Sequence, residues 1–234
     1  MADILWLEST SSTNELMRTM DCPPSAIAAF SQTEGRGRLG RTFVSPQGGV
    51  YISILVRGDA VDLSSCQVTA RAAVAVRRAL MAVAGVDAGI KWVNDLYIGN
   101  RKVCGILAQT CEQGVVVGVG INWDTPSESF PQELRDKAGS VFSQDRGREE
   151  KKAFGVALVR EMEAVMTDPS WLEEYREADI LVGKKVDIVS LGKVVGSGVV
   201  LGIDDSAALR VAIADKEVVL TTGEVGIVFE KDAI

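Results

Sequence analysis

The chain has 234 residues, 47% hydrophobic and 24% charged, a composition that indicates a folded globular protein and excludes collagenous or wholly disordered chains. Its 32 acidic and 25 basic side chains give a net charge of -7, which opposes non-specific wrapping of nucleic acid or an anionic membrane. It has no histidine, which excludes Ser-His-Asp triads, Cys-His pairs and His-ligated zinc. Any anion must therefore be bound by a local cluster of cations.

The cysteine pattern and hydropathy indicate the compartment. The four cysteines contain no C-x-x-C pair, and the first residues do not resemble a secretory leader. No apolar run approaches the roughly 20 residues that span a bilayer. We therefore expect reduced thiols in a soluble, cytoplasmic protein with no metal-ligating cluster of its own.

In chain order, the first part of the sequence alternates short strands with helices. Strands are predicted at Ile4–Leu7, Ala26–Gln32, Gly49–Val56, Ile90–Val93, Leu96–Ile98, Lys102–Gln109 and Val115–Asn122. Helices are predicted after the possible caps Ser9 to Asn14, from Asp62 or Ser64 onward, and from Phe154 to Val165, with loops over 124–148. This pattern favours an α+β fold in which helices flank a mixed sheet.

The remaining chain is rich in β-branched residues and turns. Strands are predicted at Lys185–Val189, Lys193–Gly202, Ala208–Ala214, Glu217–Thr221 and Gly226–Phe229. Five short strands in about fifty residues favour a small barrel. We expect a first domain over residues 1–180 and a second over 181–234.

The segment Gly35 to Arg41 has three arginines and three glycines in seven residues of an acidic protein. Glycines let backbone N–H groups approach a ligand, and guanidinium groups pair with carboxylate or phosphate oxygens. If the segment is extended, Arg36 and Arg38 point to one face and could bind a single anion. A solvated loop fits the segment alone about equally well. A Rossmann site is disfavoured because a strand, not a helix, follows the glycines.

Three other short segments contain candidate ligand groups. Lys91, in a predicted strand, belongs either at a wet edge or beside an anion, and Asn94-Asp95 follows as a turn. Gly118 and Gly120 remove side chains from one strand face, which indicates either a bulge or a close approach of another group. The polar run Ser12-Thr13-Asn14 either caps a helix or binds a polar head group.

Taken in order, these motifs resemble the biotin-protein ligases over about residues 8–123, and the terminal strands resemble that family's C-terminal domain. The motifs that carry the resemblance are Ser12-Thr13-Asn14, Gln32-x-x-Gly35-Arg36-Gly37-Arg38-x-Gly40-Arg41, Ser45-Pro46-x-Gly48-Gly49, Lys91-Trp92-x-Asn94-Asp95-Leu96, Lys102-x-x-Gly105-Ile106-Leu107 and Gly118-x-Gly120-Ile121-Asn122. The resemblance implies a class II synthetase-like catalytic domain followed by a small SH3-like barrel. It also implies that ATP, with Mg²⁺, activates biotin as biotinyl-5'-AMP, which is then transferred to a lysine of a biotin carboxyl carrier domain.

The resemblance also implies roles for individual residues. The catalytic residues would be Lys91, Arg36 and Arg38. Biotin would contact Ser12, Thr13, Asn14, Gln32, Gly35, Arg36, Gly37, Arg38, Lys91 and Gly105. The nucleotide would contact Arg38, Arg41, Phe43, Lys91, Asn94, Asp95, Gly118 and Asn122. A homodimer is plausible by family precedent.

The sequence departs from the family pattern at three positions. Many members have Pro where Val93 stands, Trp where Phe43 stands and Glu near Gln109. We expect the first departure to soften a turn and the second to weaken contacts around the adenylate. The chain also begins at the catalytic domain, without a helix-turn-helix extension, so we expect no DNA binding.

Other functions are possible for the same motifs. The nearest is a lipoate-type acyl-protein ligase, which activates another carboxylate in the same way. A biotin-binding sensor without catalysis and an RNA-binding RG-loop protein are further alternatives. Pyrophosphate exchange and the salt dependence of RNA binding would distinguish them.

Overall fold

The computed structural model describes residues 3–57, 65–190, 192–221 and 224–227. The helices are α1 (Thr13–Thr19), α2 (Ser65–Ala84), α3 (Gly147–Thr167) and α4 (Trp171–Ala178). The strands are β1 (Ile4–Leu7), β2 (Ala26–Ala29), β3 (Gly49–Val56), β4 (Gly89–Lys91), β5 (Asp95–Ile98), β6 (Arg101–Cys111), β7 (Gly114–Asn122), β8 (Lys185–Ser190), β9 (Lys193–Ile203), β10 (Leu209–Ile213), β11 (Lys216–Leu220) and β12 (Glu224–Ile227). No helix among the described residues is both long enough and apolar enough to cross a membrane.

The first seven strands form one mixed sheet. Its order is β1-β2-β3-β7-β6-β5-β4, with β1 parallel to β2 and every other neighbour antiparallel. Helices pack on both faces: α2 contacts α3 and β6, and α1 contacts β3 and β7. The predicted α+β fold with a mixed sheet flanked by helices is confirmed.

Alternation along the central strands separates the core from the face that carries the cleft. On β3, Ile52 and Ile54 point into the main core. Leu55, on the opposite face of β3, packs against α1 with Met17. Ser53 shares the α1 face with Leu55 and is fully buried. The α1 face of the sheet therefore places polar side chains beside a helix N-terminus.

The predicted elements differ from the structure mainly at their ends. The second strand ends at Ala29, and Gln32 makes isolated bridges to Thr10 and Ser45 instead. The long helix begins at Ser65 in the described residues, and the proposed starts at residues 62–64 lie outside them. Residues 124–146 form loops with two short 3-10 turns, and the helix predicted from Phe154 begins at Gly147, just inside the loop predicted over 124–148.

The last five strands form a second, antiparallel sheet in the order β11-β10-β9-β8-β12. Among the described residues no ladder joins β11 to β12, so this sheet is open and the expected SH3-like barrel is not confirmed. The predicted end of the last strand, Phe229, lies outside the described residues. The apolar core is continuous between the two sheets, since Val186, Val200 and Leu209 belong to the same cluster as the α2 side chains.

Candidate functional site

A cleft of about 220 Å³ opens on the α1 face of the seven-stranded sheet. Most of the residues selected from the sequence line it. These are Ser12, Thr13, Asn14, Gln32, Arg36, Gly37, Arg38, Arg41, Phe43, Lys91, Asn94, Asp95, Gly105 and Gly118. The cleft therefore brings together five segments that lie as much as about a hundred residues apart in the sequence.

One end of the cleft is neutral and built on the start of α1. Ser12 adopts an extended conformation at the N-cap, and its Oγ accepts a hydrogen bond from the Glu15 amide, as the capping interpretation predicted. The next two side chains, Thr13 and Asn14, are buried and hydrogen-bonded to Gln32 and Ser53, respectively. The capping turn thus presents hydroxyl and amide groups to the cleft.

Two of the three glycines of β7, Gly118 and Gly120, lie under side chains of the protein itself. A Cβ atom on Gly118 would lie 2.1 Å from Asn14 Oδ1, and one on Gly120 would lie 2.4 Å from the Phe43 ring. Gly105, directly opposite Gly120 on β6, is covered by the same ring. The close approach expected at this strand is therefore made by Asn14 and Phe43.

The arginine segment curves over the cleft entrance. Arg36 Nη1 donates to Glu15 Oε2 of α1 at 2.8 Å, with about half of the Arg36 side chain exposed. Arg38 Nη1 donates to Asn94 Oδ1 at 3.1 Å, across the cleft from α1. A 3-10 turn over Arg38–Gly40 follows, with Leu39 in the left-handed region at φ 55°. Both guanidinium groups line the cleft, but they are anchored to different walls.

Further cations line the far end of the cleft. Lys91 ends β4, with its Nζ 5.9 Å from the centroid of the Tyr97 ring. Lys102 on β6 lies 2.6 Å from Asp95 Oδ1 and 5.9 Å from the Phe43 ring centroid. With Arg38, these side chains give the far end a positive field inside an acidic protein.

The turn that follows Lys91 differs from the sequence prediction. Trp92, Val93 and Asn94 form the turn, and Asp95 begins β5, whereas the sequence predicted a strand through Val93 and a turn at Asn94-Asp95. The peptide bond between Trp92 and Val93 is cis. Trp92 Nε1 donates to the Ala207 carbonyl of the second sheet at 2.9 Å, which fastens the turn to that sheet.

Two residues selected from the sequence do not line the cleft. Gly35 packs beneath it, since a Cβ atom there would lie 2.3 Å from the Phe43 carbonyl oxygen. Asn122 is buried, and its Nδ2 donates to the Gly139 carbonyl at 2.9 Å. Only the path of the loop after β7 brings Gly139 to this position, and no local motif predicts that path.

The cleft also contains residues that were not selected from the sequence. These are Thr42, Tyr51, Trp92, Lys102, Ile106, Leu107, Val119, Gly120 and Val225. Lys102 was visible within the Lys102-x-x-Gly105 motif, whereas Val225 comes from β12 and no sequence signal links it to the cleft. The second sheet thus supplies one wall.

The chemistry of this cleft favours binding and neutralising an anion. Burial raises the pKa of the Tyr51 phenol, which stays protonated and donates to the Pro46 carbonyl. Burial also raises the pKa of Tyr97, which lies outside the lining with its ring near Lys91, to about 12. No group of three or more Cys, Asp or Glu side chains that could hold a metal occurs among the described residues.

A family model matches residues 6–125, and its description is the biotin/lipoate A/B protein ligase family. Among proteins with similar sequences, the bifunctional ligase/repressor BirA of Bacillus spizizenii is 36% identical over 142 residues, which cover 58% of this chain and 44% of that protein. The chain thus spans less than half of that relative. The biotin--[acetyl-CoA-carboxylase] ligase of Mycobacterium tuberculosis is 28% identical over 209 residues, which cover 85% of this chain and 77% of that protein.

A solved structure of the biotin protein ligase from Aquifex aeolicus, in complex with biotin and ATP, superposes with a TM-score of 0.83. It is 24% identical and the match covers 96% of this chain and 97% of that one, so the fold is shared over nearly its whole length. The family model covers just over half of the chain and includes every residue that lines the cleft except Val225. The chain therefore belongs to the biotin/lipoate A/B protein ligase family.

Proposed function

We propose that this chain is an ATP-dependent ligase that activates biotin as biotinyl-5'-AMP and transfers it to a lysine of a biotin carboxyl carrier domain. The observation that carries the proposal is one cleft with two different ends. The α1 end offers buried hydroxyl and amide groups that suit the ureido ring of biotin, and the far end is lined by arginine and lysine side chains that suit a carboxylate and phosphates.

In the first step, a carboxylate oxygen of biotin attacks the α-phosphorus of ATP. A phosphorus–oxygen bond forms, the bond to the bridging oxygen breaks, and pyrophosphate leaves. A carboxylate is already a nucleophile at neutral pH, so the step needs positioning and neutralisation of charge more than a base. Lys91, Arg36 and Arg38 line the cleft where they can supply that neutralisation, which accords with the lack of histidine.

In the second step, the neutral ε-amine of the acceptor lysine attacks the acyl carbonyl carbon. A carbon–nitrogen bond forms, the bond to the adenylate oxygen breaks, AMP leaves, and the proton of the amine passes to solvent. Positive charge beside the carbonyl favours both the tetrahedral intermediate and the departure of AMP. Arg38, bonded to Asn94 across the cleft, is positioned to serve in both steps.

The nucleotide would occupy the far end of the cleft, along Arg41, Phe43 and Asp95. Asn122 lies outside the lining, but its Oδ1 is buried and accepts no hydrogen bond from the described residues. Because that oxygen is buried outside the lining, contact with the adenine would require the loop after β7 to move.

Mg²⁺ would arrive with ATP as part of the substrate. The carboxylate available to it in the lining is Asp95, which is paired with Lys102. Since Mg²⁺ is commonly held by one or two carboxylates together with substrate phosphates, this donor set fits an ion carried by the nucleotide. It would offset the negative charge of the phosphates.

The proposal extends to the rest of the chain. We assign catalysis to residues 1–180 and a closed SH3-like barrel to residues 181–234; the register shifts along β9 support strong curvature of that sheet. We also propose a homodimer that works in the cytoplasm, where ATP is available, and that does not bind DNA, in keeping with the charge of -7.

The test is exchange of labelled pyrophosphate into ATP, with biotin, lipoate and octanoate run in parallel. Exchange with biotin alone is the expected result, and it requires no knowledge of the carrier. Exchange with lipoate instead would assign the other activity named in the family description. Biotin binding without exchange would show a sensor and refute the proposed catalysis.

A further inference from the structure

A continuous hydrogen-bonded relay runs beneath the neutral end of the cleft. We define the relay as Ser45, Gln32, Thr13, Ser53 and Asn14. It begins at the carbonyl of Phe43 and ends at the carbonyl of Leu107. Ser53 is fully buried, and Thr13 and Asn14 are at most 5% exposed, so the polar groups of the relay must satisfy one another.

The Phe43 end fixes the direction of the first two members. A carbonyl oxygen only accepts, so the Ser45 hydroxyl, 2.9 Å away, must donate to Phe43. Ser45 then accepts from Gln32 Nε2 at 2.9 Å. The other amide atom, Gln32 Oε1, therefore faces Thr13, where it accepts the backbone N–H at 2.9 Å and lies 3.1 Å from the hydroxyl.

The Leu107 end fixes the opposite direction. The Asn14 atom 3.3 Å from that carbonyl oxygen must be the amide nitrogen, which also donates to Gln109 Oε1 at 2.9 Å. Asn14 Oδ1 therefore faces Ser53 Oγ at 2.6 Å and can only accept. The two backbone carbonyls thus place an acceptor oxygen at each side of the Thr13–Ser53 pair.

Counting protons then settles what Thr13 offers to a ligand. Two hydroxyl protons are available for three short oxygen–oxygen contacts: 3.1 Å from Thr13 to Gln32, 2.8 Å from Thr13 to Ser53 and 2.6 Å from Ser53 to Asn14. The Ser53 proton is required by Asn14, and the Thr13 proton goes to Ser53 or Gln32. In either case Thr13 has no proton left for the cleft that it lines.

We propose that Ser53 is a specificity-determining positioning residue that makes Thr13 Oγ1 an obligatory hydrogen-bond acceptor toward the cleft. The head group bound here must then present an N–H at that point. This inference deepens the proposed function and rests on it: the cyclic urea of biotin has N–H groups, whereas the dithiolane ring of lipoate and the chain of octanoate have none.

The test is calorimetric titration of wild type and Ser53→Ala with biotin and with two cyclic carbamate analogues, each with one ring N–H replaced by oxygen. Wild type should bind one of the two analogues at least about 100-fold more weakly than biotin, because two acceptors then face each other. In Ser53→Ala the Thr13 proton keeps only the longer, 3.1 Å contact to Gln32 Oε1, which already accepts the Thr13 backbone N–H, so the proton can turn toward the ligand. The ratio of the affinity for biotin to the affinity for that analogue should therefore be at least about tenfold smaller in Ser53→Ala than in wild type.

Steady-state exchange distinguishes positioning from a general loss of structure. Ser53→Ala should raise the KM for biotin several-fold and leave kcat and the KM for ATP within about twofold. Ser53→Cys keeps nearly the same side-chain volume, but its thiol is a weak hydrogen-bond donor and acceptor. It should therefore also reduce the discrimination between biotin and the carbamate analogue. This variant replaces Ser53→Ala in the test if the alanine variant does not fold. Ser140→Ala is the matched control, since it removes a hydroxyl that donates to Thr125 outside the cleft.

Two results would contradict the inference in distinguishable ways. Biotin-dependent exchange by wild type, with the same biotin-to-carbamate ratio in both Ser53 variants, would overturn the role of Ser53 and leave the ligase assignment intact. If wild type gives no biotin-dependent exchange, both the proposed function and the inference that rests on it fail.

Discussion

The cationic side chains of the cleft differ in how their neighbours hold them. Arg36 makes one contact to Glu15 on α1, so its remaining N–H groups can reach a ligand without breaking that contact. The Glu15 carboxylate also contacts Arg18, so its single negative charge is shared between two guanidinium groups. Charge at the rim is therefore partly balanced before an anion arrives.

We expect Arg36→Ala and Lys91→Ala each to lower biotin-dependent pyrophosphate exchange about 100- to 1000-fold, because each removes a cation from the reacting phosphate. Circular dichroism and thermal melts should stay those of wild type. The matched control is Arg148→Ala, another exposed arginine in an ion pair, with Glu8, that does not line the cleft. Near-normal exchange by either cleft variant would refute its assigned role.

The candidate site was predictable where its residues lie together in a motif. Ser12 caps α1 within its own segment, and Arg36 and Arg38 lie in one glycine-rich stretch, although their partners Glu15 and Asn94 come from other segments. Ser53 and Asn122 illustrate the limit. Ser53 functions through groups on α1, and the direction of the Asn122 side chain depends on where the chain returns at Gly139.

At the scale of elements, the glycine positions on β6 and β7 let α1 and the Phe43 segment sit close to the sheet. We expect Gly118→Ala to weaken biotin binding at least about tenfold and to destabilise the fold by roughly 1–3 kcal/mol, because the new Cβ would displace Asn14. Isothermal titration and urea unfolding measure the two effects.

The control for this substitution is Gly226→Ala. Gly226 is also a strand glycine, but a Cβ atom there has no neighbour within 4 Å. It should change biotin affinity and unfolding free energy little. Equal effects of the two substitutions would show that strand propensity, rather than the contact with Asn14, explains the result.

The helices are joined by a charged cluster around Arg78 on α2. Its guanidinium donates to Asp168 at 2.6 Å and to both carboxylate oxygens of Glu174, so it connects α2 to α4 and to the loop before α4. A hydrogen bond from Ser170, followed by the contact with Arg78, lowers the pKa of Asp168 to about 2. Removing the Arg78 guanidinium would leave the Asp168 and Glu174 carboxylates close together without the cation that binds both.

We expect Arg78→Met to lower the free energy of unfolding by about 1–3 kcal/mol, as loss of one partner of a partly buried cluster does. The neighbouring Arg77→Met breaks a more exposed pair with Asp87 and should cost less than about 1 kcal/mol. Chemical denaturation of both variants gives the comparison. A larger loss for Arg77→Met would show that helix propensity or packing governs this surface.

Element types were largely predictable, because strand alternation and helical spacing are local signals. The long helix, the meander from β4 to β7 and the strands of the second sheet follow from those patterns. The exceptions accompany long-range contacts: Gln32 leaves its strand and bridges Thr10 and Ser45, and Trp92 lies in a turn with its indole hydrogen-bonded to the Ala207 carbonyl. The closed barrel stays a prediction.

At the scale of the whole molecule, Asp179 lies where the chain passes from α4 to the second sheet. It bridges to Ile90, and its Oδ1 accepts from the amides of Leu181 and Val182. Burial raises the pKa of this carboxyl from 3.8 to about 6, against the opposing effects of those amides and of Lys184. The ionised form is therefore disfavoured in the folded state.

We expect Asp179→Asn to be more stable than wild type by roughly 1–3 kcal/mol at pH 7.5, since asparagine keeps the acceptor oxygen and removes a buried charge. Because the folded pKa lies above the unfolded one, wild type gains stability relative to the variant as the pH falls through about 6 toward 4. Urea unfolding of wild type and variant across this pH range measures the difference in stability. Asp215→Asn is the control, because the Asp215 side chain is exposed. A difference that does not vary with pH would contradict the assignment.

The wall contributed by Val225 has a consequence during synthesis. Within the part of the chain that the structure describes, every other residue lining the cleft lies between Ser12 and Gly120, so the ribosome makes the remaining wall roughly a hundred residues after the rest. At about 5–20 residues per second, the nascent chain carries an incomplete cleft for roughly 5–20 s. The growing polypeptide can therefore acquire a complete cleft only after its second sheet has been translated, and chains that stall earlier would lack that wall.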